Sequence, residues 1–364
     1  MVTTMHPRAA PRPSRAWWLA LAAAALVGCG DNLRPSVDGG RDAAALDAAL
    51  DAAGPDAPAD AAAIDAALDA TIDAAAIDAA VDAPTDAPTD APTDAAIDAP
   101  ELPLPVRLRV VASNLTSGNF QAYEPPGVRI LDGLDADIAL MQEMNVGGNS
   151  AAELRAFVDQ AFGPSFYYSR QPGVQIANGV VSRYPIVEAG VWDDPQVDNR
   201  DFAWARIDVP GPRDLWAVSL HLLTTSAANR NAEASALVAY LDARVPAGDF
   251  LVLGGDFNTD ARTEACVATL SAVVATGGPH PADQAANGNT NANRNKPYDW
   301  VLADADLRAY QVGVAIGAAT YPAGLVFDSR VYTPLTDVAP VVAADSGAPS
   351  MQHMAVAKDF FITE

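Results

Sequence analysis

Five short stretches hold the side chains of this sequence that could do chemistry together. They are Ser113-Asn114, Gln142-Glu143, Ser219-Leu220-His221-Leu222, Gly254-Gly255-Asp256-Phe257-Asn258 and Tyr298-Asp299-Trp300-Val301, with Gln352-His353 following near the C-terminus. Carboxylates and amides offer hard oxygen atoms to a divalent cation, and imidazole is the side chain whose proton moves nearest to neutral pH. In each stretch the polar residues close an apolar run, which is where a layered α/β fold gathers a site from several strands. Singly, each has a plainer reading. A Glu after a strand is also a solvated strand end, Asp-Phe-Asn after Gly-Gly is also a turn, and a lone His in an apolar strand is also a core residue. Their joint order along the chain separates them from those readings.

The elements that must position these groups are legible as short apolar runs separated by turns. Val106, Leu108 and Val110 alternate with Arg107 and Arg109, the pattern of a strand with one wet face. Residues 138–141 and 250–253 are continuously apolar, as in strands covered on both faces. Phe202 to Val209 and Leu215 to Leu220 read as a strand pair with Pro210-Gly211-Pro212 in the turn. Helical periodicity appears over 151–161 and over 232–244, where Leu237, Tyr240, Leu241 and Val245 share a face. The Gly/Asn/Pro-rich stretch 277–295 reads as loop. Strands and helices interspersed in this way give an α/β (α+β) class with layered sheets.

Taken together, these segments resemble the endonuclease/exonuclease/phosphatase (deoxyribonuclease I-like) superfamily over 106–360. Gly255-Asp256-Phe257-Asn258 is the most specific match, and Asn178-Gly179-Val180-Val181-Ser182-Arg183-Tyr184-Pro185-Ile186 is similar to the family's strand and turn. The resemblance implies a four-layer αββα sandwich of two packed mixed β-sheets and hydrolysis of phosphate esters with Mg²⁺ (or Mn²⁺). It implies Glu143 and Asn114 as metal ligands, with Asn114 also near phosphate. It implies Asp256 as the group that orients or deprotonates water, and Asn258 and Arg200 as phosphate contacts. His353 would stand at the scissile phosphate with Asp299 orienting it, and His221 would be a proton donor to the leaving oxygen. The chemistry asks for such a set, because the negative oxygens of a phosphodiester must be screened as charge builds in the transition state. One departure is plain: where the family has Ser-Asp-His, this chain has Met351-Gln352-His353, so a carboxylate is replaced by a neutral amide. Substrates of this class include nucleic acids and phospholipid head groups, and no obligate protein partner is expected. A binding lipoprotein that had lost the chemistry is the non-enzyme alternative, and retention of the acid, amide and histidine set argues against it.

Charge and composition divide the chain unevenly. The 364 residues carry a formal charge of −24, and 38–100 alone hold fifteen Asp against one Arg. The part from 101 onward is still −13. An acidic domain gains no long-range attraction for nucleic acid, so any such substrate depends on a local basic patch, for which Arg183, Arg200, Arg206 and Arg294 are the candidates. A phospholipid substrate would ask instead for an exposed apolar feature, for which Trp192 and 321–331 are the hints. At the N-terminus, three arginines precede the apolar run Ala16 to Val27, too short to span a membrane but suited to an export signal. The run ends in Leu26-Val27-Gly28-Cys29, which resembles a bacterial lipobox. The expected organisation is a lipoprotein signal peptide over 1–29 with Cys29 lipidated, a disordered spacer over 30–100, and a catalytic domain over 101–364. The protein would then sit at the cell envelope on a lipid anchor. Asp at every fourth or fifth position repels itself and Pro breaks helix, which favours a spacer over a folded tract. With Cys29 acylated, Cys266 has no partner for an intrachain disulfide, and no Cys-based zinc site can form.

Overall fold

The computed structural model describes residues 105–363; the expected signal peptide (1–29) with Cys29, the expected spacer (30–100) and residues 101–104 lie outside the described residues. Among the described residues no helix is long and apolar enough to cross a membrane. The elements in chain order are β1 (Val106–Ser113), α1 (Pro125–Leu134), β2 (Ile138–Met141), α2 (Ala151–Ala161), β3 (Tyr167–Arg170), β4 (Gly179–Ser182), β5 (Ile186–Trp192), β6 (Phe202–Ile207) and β7 (Leu215–His221). They continue with α3 (Ala227–Arg244), β8 (Phe250–Asp256), α4 (Ala265–Leu270), β9 (Asp299–Ala303), α5 (Ala305–Arg308) and β10 (Gln311–Val312). The last are β11 (Val314–Ile316), β12 (Ala319–Tyr321), β13 (Leu325–Phe327) and β14 (Ala355–Ile362).

Two mixed sheets form the centre. One runs β10-β14-β1-β2-β4-β3, with β13 also on β14; the other runs β5-β6-β7-β8-β9. Within them β1–β2 and β7–β8 are parallel and the remaining pairs antiparallel. Alternation along each strand sorts side chains into three cores. Leu108, Val110, Ile138 and Leu140 meet Ala217, Val252 and Val301 between the sheets. Val111, Ala139 and Met141 turn outward onto Ile130, Leu131 and Phe157 of α1 and α2. Val218, Leu220 and Leu253 turn outward onto Leu237 and Leu241 of α3 and onto α4. The order is therefore helices, sheet, sheet, helices, the four-layer αββα sandwich.

Local signals explain the elements. Ser150 and Glu153 form a reciprocal capping box at the start of α2. In α1, Pro occupies the first positions, where no amide hydrogen is needed, and Asp135 ends the helix in a left-handed conformation. Helix α3 begins at Ala227, five residues ahead of the periodic stretch, because Ser226 accepts a hydrogen bond from the Asn229 N–H and sets the start. The face of β1 expected to be wet is so only at Arg107; Arg109 is buried, with Nε and Nη2 each 2.8 Å from an Asp359 oxygen and Nη1 donating to Leu134 O. Removing one partner of such a pair strands the other charge in the core. Asp359→Asn is therefore expected to cost about 3 kcal/mol in urea unfolding. A loss below about 1 kcal/mol would show that the pair contributes little.

Candidate functional site

The chemistry sits at one end of both sheets because strand register brings it there. His221, Asp256 and Asp299 are direct neighbours across β7, β8 and β9, so three functional side chains lie about 5 Å apart along the sheet. Two glycines make room on β8. A Cβ on Gly254 would lie 2.3 Å from Trp300 O, and Gly255, at φ +137°, would meet Leu220 O at 2.1 Å and Gln142 Nε2 at 2.5 Å. Gln142 Nε2 donates to Ser219 Oγ at 2.9 Å and so ties the two sheets together just beneath the site.

Asp256 is the hub. Its Oδ2 lies 3.2 Å from His221 Nε2, 3.4 Å from His353 Nε2 and 3.2 Å from Asn114 Nδ2, while Oδ1 accepts the Asn258 N–H at 2.9 Å. Asn258 also donates from Nδ2 to Leu222 O at 3.0 Å. His353 places Nδ1 3.1 Å from Asp299 Oδ2, and its backbone bridges to Asn291. Glu143 Oε2 accepts from Thr116 Oγ1 at 2.5 Å, and Oε1 accepts from Asn114 Nδ2 at 3.1 Å and Gln121 Nε2 at 3.3 Å. Glu143 and Asn258 both hold φ at +50°, a conformation costly for side-chain-bearing residues and concentrated at working sites. All seven residues named as site groups after the strands (Asn114, Glu143, His221, Asp256, Asn258, Asp299, His353) are buried and meet in this one network.

The electrostatics split the two histidines. Burial works against charge on His353, but Asp299, Asp256 and Glu143 outweigh it and raise the imidazole to about 10. His221 goes the other way: burial first, then the charges of Arg200 and His353, hold it well below 6.5. The two rings are pushed in opposite directions, His353 toward the cation and His221 toward the neutral form, a separation that suits distinct acid–base roles. Arg200 is buried, and its charge acts on His221 and on the Asp194–Glu233 carboxyl pair.

The residues present fit a divalent cation. Asn114 Nδ2 lies between the Glu143 and Asp256 carboxylates, a place where positive charge is favoured, while its Oδ1 is buried without a hydrogen-bond partner. Asp256, Asp299 and His353 also present ligand atoms within 4.8 Å of one another. The donors are mainly hard oxygen, as Mg²⁺ or Mn²⁺ requires. Gln352, half-buried beside His353, adds no charge to this set.

Other expectations are corrected by the packing. Arg183 is paired with Asp137 at 2.6 Å, Arg206 with Asp214 at 2.8 Å, and Arg294 with Asp283 at 2.7 Å and with Asp328, so three of the four candidate arginines are engaged by acids of the fold. Trp192 is buried, stacked 5.5 Å from Trp204 and 5.7 Å from Tyr240, and Tyr321 and Phe327 belong to the core beneath the first sheet. Neither is an exposed apolar hairpin. Sequence reasoning missed Thr116 and Gln121, whose polar loop carries no local signal, and the Asp194–Glu233 pair, which the fold alone brings together.

The sequence profile of the Endonuclease/Exonuclease/phosphatase family matches residues 109–329. No curated protein matches the chain. Among solved structures, an endonuclease/exonuclease/phosphatase from Beutenbergia cavernae is similar at 18% identity and a TM-score of 0.48, covering 71% of this chain and 72% of that one. One from Bacteroides vulgatus is similar at 16% identity and a TM-score of 0.48, covering 71% of this chain and 100% of that one. D. rerio TDP2, complexed with single strand DNA product, is similar at 14% identity and a TM-score of 0.46, covering 70% of this chain and 98% of that one.

Proposed function

Because the chain belongs to the endonuclease/exonuclease/phosphatase family, whose members are usually hydrolases of phosphate esters, we propose that it is a metal-dependent phosphodiesterase acting on nucleic acid at the cell envelope. The observation that carries this reading is the convergence of Asn114, His221, His353 and Asn258 on the Asp256 carboxylate. Glu143 and Asn114 would hold Mg²⁺ or Mn²⁺, which supplies Lewis-acid screening of phosphate charge when bound. The rest is done by the chain. Asp256 takes a proton from the attacking water as its oxygen bonds to phosphorus. The bond from phosphorus to the leaving oxygen breaks, and that oxygen takes a proton from the His353 imidazolium, which Asp299 holds in place. His221, expected as the proton donor, is disfavoured as a cation by burial and by the charges of Arg200 and His353. It suits a hydrogen bond to a non-bridging oxygen, with Asn258 and Arg200 fixing the phosphate beside it.

One exposed residue beside the site suits a nucleic-acid substrate. Phe120 is 85% exposed and directly precedes Gln121, whose amide reaches Glu143. An exposed ring suits stacking on a base, a contact of about 1–3 kcal/mol. The full chain should be assayed on plasmid DNA, RNA, sphingomyelin and inositol phosphates, with Mg²⁺ and with chelator. Metal-dependent cleavage of DNA or RNA is expected, with KM raised roughly tenfold in Phe120→Ala. Cleavage of sphingomyelin alone, or activity indifferent to chelator, would overturn the reading.

The envelope location rests on the sequence around Cys29. Cys29→Ser should move the protein from the membrane to the soluble fraction or block its processing; unchanged membrane partition would remove the lipid anchor from the proposal.

A further inference from the structure

Behind the site, on the far side of Asp299 and Trp300, lies a cavity lined by Arg262, His280 and Lys358 among apolar groups. It leaves about 10 Å³ for the centre of a water-sized particle, room for one water or one ion of that size. Lys358 is 8% exposed and shares its strand face with Val356 and Phe360, which point between the sheets. Arg262 lies over the Trp300 ring at 4.8 Å from its centre, and His280 meets the same ring edge-on at 5.7 Å. Arg262 and Lys358 are close enough to repel, and both work against charge on His280. The fields of Arg308 and Arg262 add to burial in pushing the Lys358 amine down to about 8, and Arg262 and Lys358 add to burial in lowering His280.

The fold compensates this charge only in part: Arg262 Nη2 donates to Gly288 O, and its guanidinium lies over the Trp300 ring. Among the described residues, none forms an ion pair or hydrogen bond with the Lys358 amine, and none forms an ion pair with Arg262 or His280. Asp299 lines the far wall, with Oδ2 3.1 Å from His353 Nδ1 and Oδ1 buried without a hydrogen-bond partner. A buried charge without a partner costs several kcal/mol, and a neutral water does not remove that cost.

We propose that Lys358, Arg262 and His280 form a binding site for one small inorganic anion, of the size of chloride, seated between the two sheets behind Asp299. The rival occupant is a single water donating to Asp299 Oδ1, which is buried without a hydrogen-bond partner. The two differ in what they do to the cations. An anion binding only the folded chain stabilises it by mass action, whereas water gives no dependence on the salt chosen.

The test uses the full chain in sodium chloride and in sodium gluconate, whose anion is too large for the cavity, at equal ionic strength and neutral pH. Melting is expected to be about 3 °C or more higher in chloride, and the chloride-35 resonance should broaden in the presence of protein. Lys358→Met should abolish both responses while melting higher than the parent in gluconate, since it removes an uncompensated buried charge. Equal melting of the parent in the two salts, with no line broadening beyond that of Lys358→Met, would overturn the site. Stabilisation by sulfate and phosphate but not by chloride would overturn the single-ion occupant. Should Lys358→Met fail to fold, the parent's salt response and its displacement by bromide decide the question. None of these readings depends on whether the protein cleaves a phosphodiester.

Discussion

Replacing His353 with Ala is expected to lower turnover by about 10²–10⁴-fold at saturating substrate and metal, the range for losing a positioned acid or base. The geometry says why the effect should be large. His353 is buried, held by Asp299 at 3.1 Å, and kept cationic by three carboxylates that overcome the cost of burying its charge. It is the one group of the network that arrives at the phosphate both positively charged and able to release a proton. Asp256→Asn should fall in the same range, because the amide cannot take the proton of the attacking water. It would also loosen His221, His353 and the Asn258 backbone, all of which close on that carboxylate. Groups acting as a unit are not additive, so the double variant should be little slower than the worse single one. Each variant must melt like the parent for the comparison to count. Full turnover in either would mean that the chemistry lies elsewhere.

How far the sequence shows this site depends on how local each contribution is. The Gly-Gly-Asp-Phe-Asn run is legible because three constraints fall within five residues. Gly254 and Gly255 admit neighbouring backbone, Asp256 ends the strand, and Asn258 turns the chain at φ +50° while donating to Asp256. Helix α2 is legible because its capping box is written in Ser150 and Glu153. Arg109 was hidden for the opposite reason. Alternation assigns it to an outer face, and only the antiparallel partner β14, about 250 positions away, supplies Asp359 to bury it. Helix α1 was hidden by its own Pro125-Pro126 start, which reads as a break until the helix beyond it is seen. The basic patch was overcounted for the same reason as Arg109: whether an arginine is available depends on acids the fold places beside it. Thr116 and Gln121 have meaning only once their loop meets Glu143, and Asp194 only once helix α3 brings Glu233 to it.

Glu143→Gln is expected to act on metal rather than on chemistry. The Glu143 carboxylate receives three hydrogen bonds, from Thr116, Asn114 and Gln121, which hold both oxygens in place. An amide of the same shape keeps one acceptor oxygen, but its NH₂ must face at least one of those donors, and the negative charge that attracts a hard cation is gone. Gln352 makes this loss harder to absorb, since the neighbour that the family supplies as Asp is neutral here. The Mg²⁺ concentration for half-maximal rate should therefore rise at least ~10-fold, on the scale seen when the surroundings of a metal are perturbed. Excess Mg²⁺ should restore a large part of the turnover, which it cannot do for His353→Ala. Isothermal titration of Mg²⁺ into parent and variant gives the same comparison without an assay of activity. An unchanged metal requirement with turnover reduced at every Mg²⁺ concentration would move Glu143 out of the metal site and into direct contact with substrate.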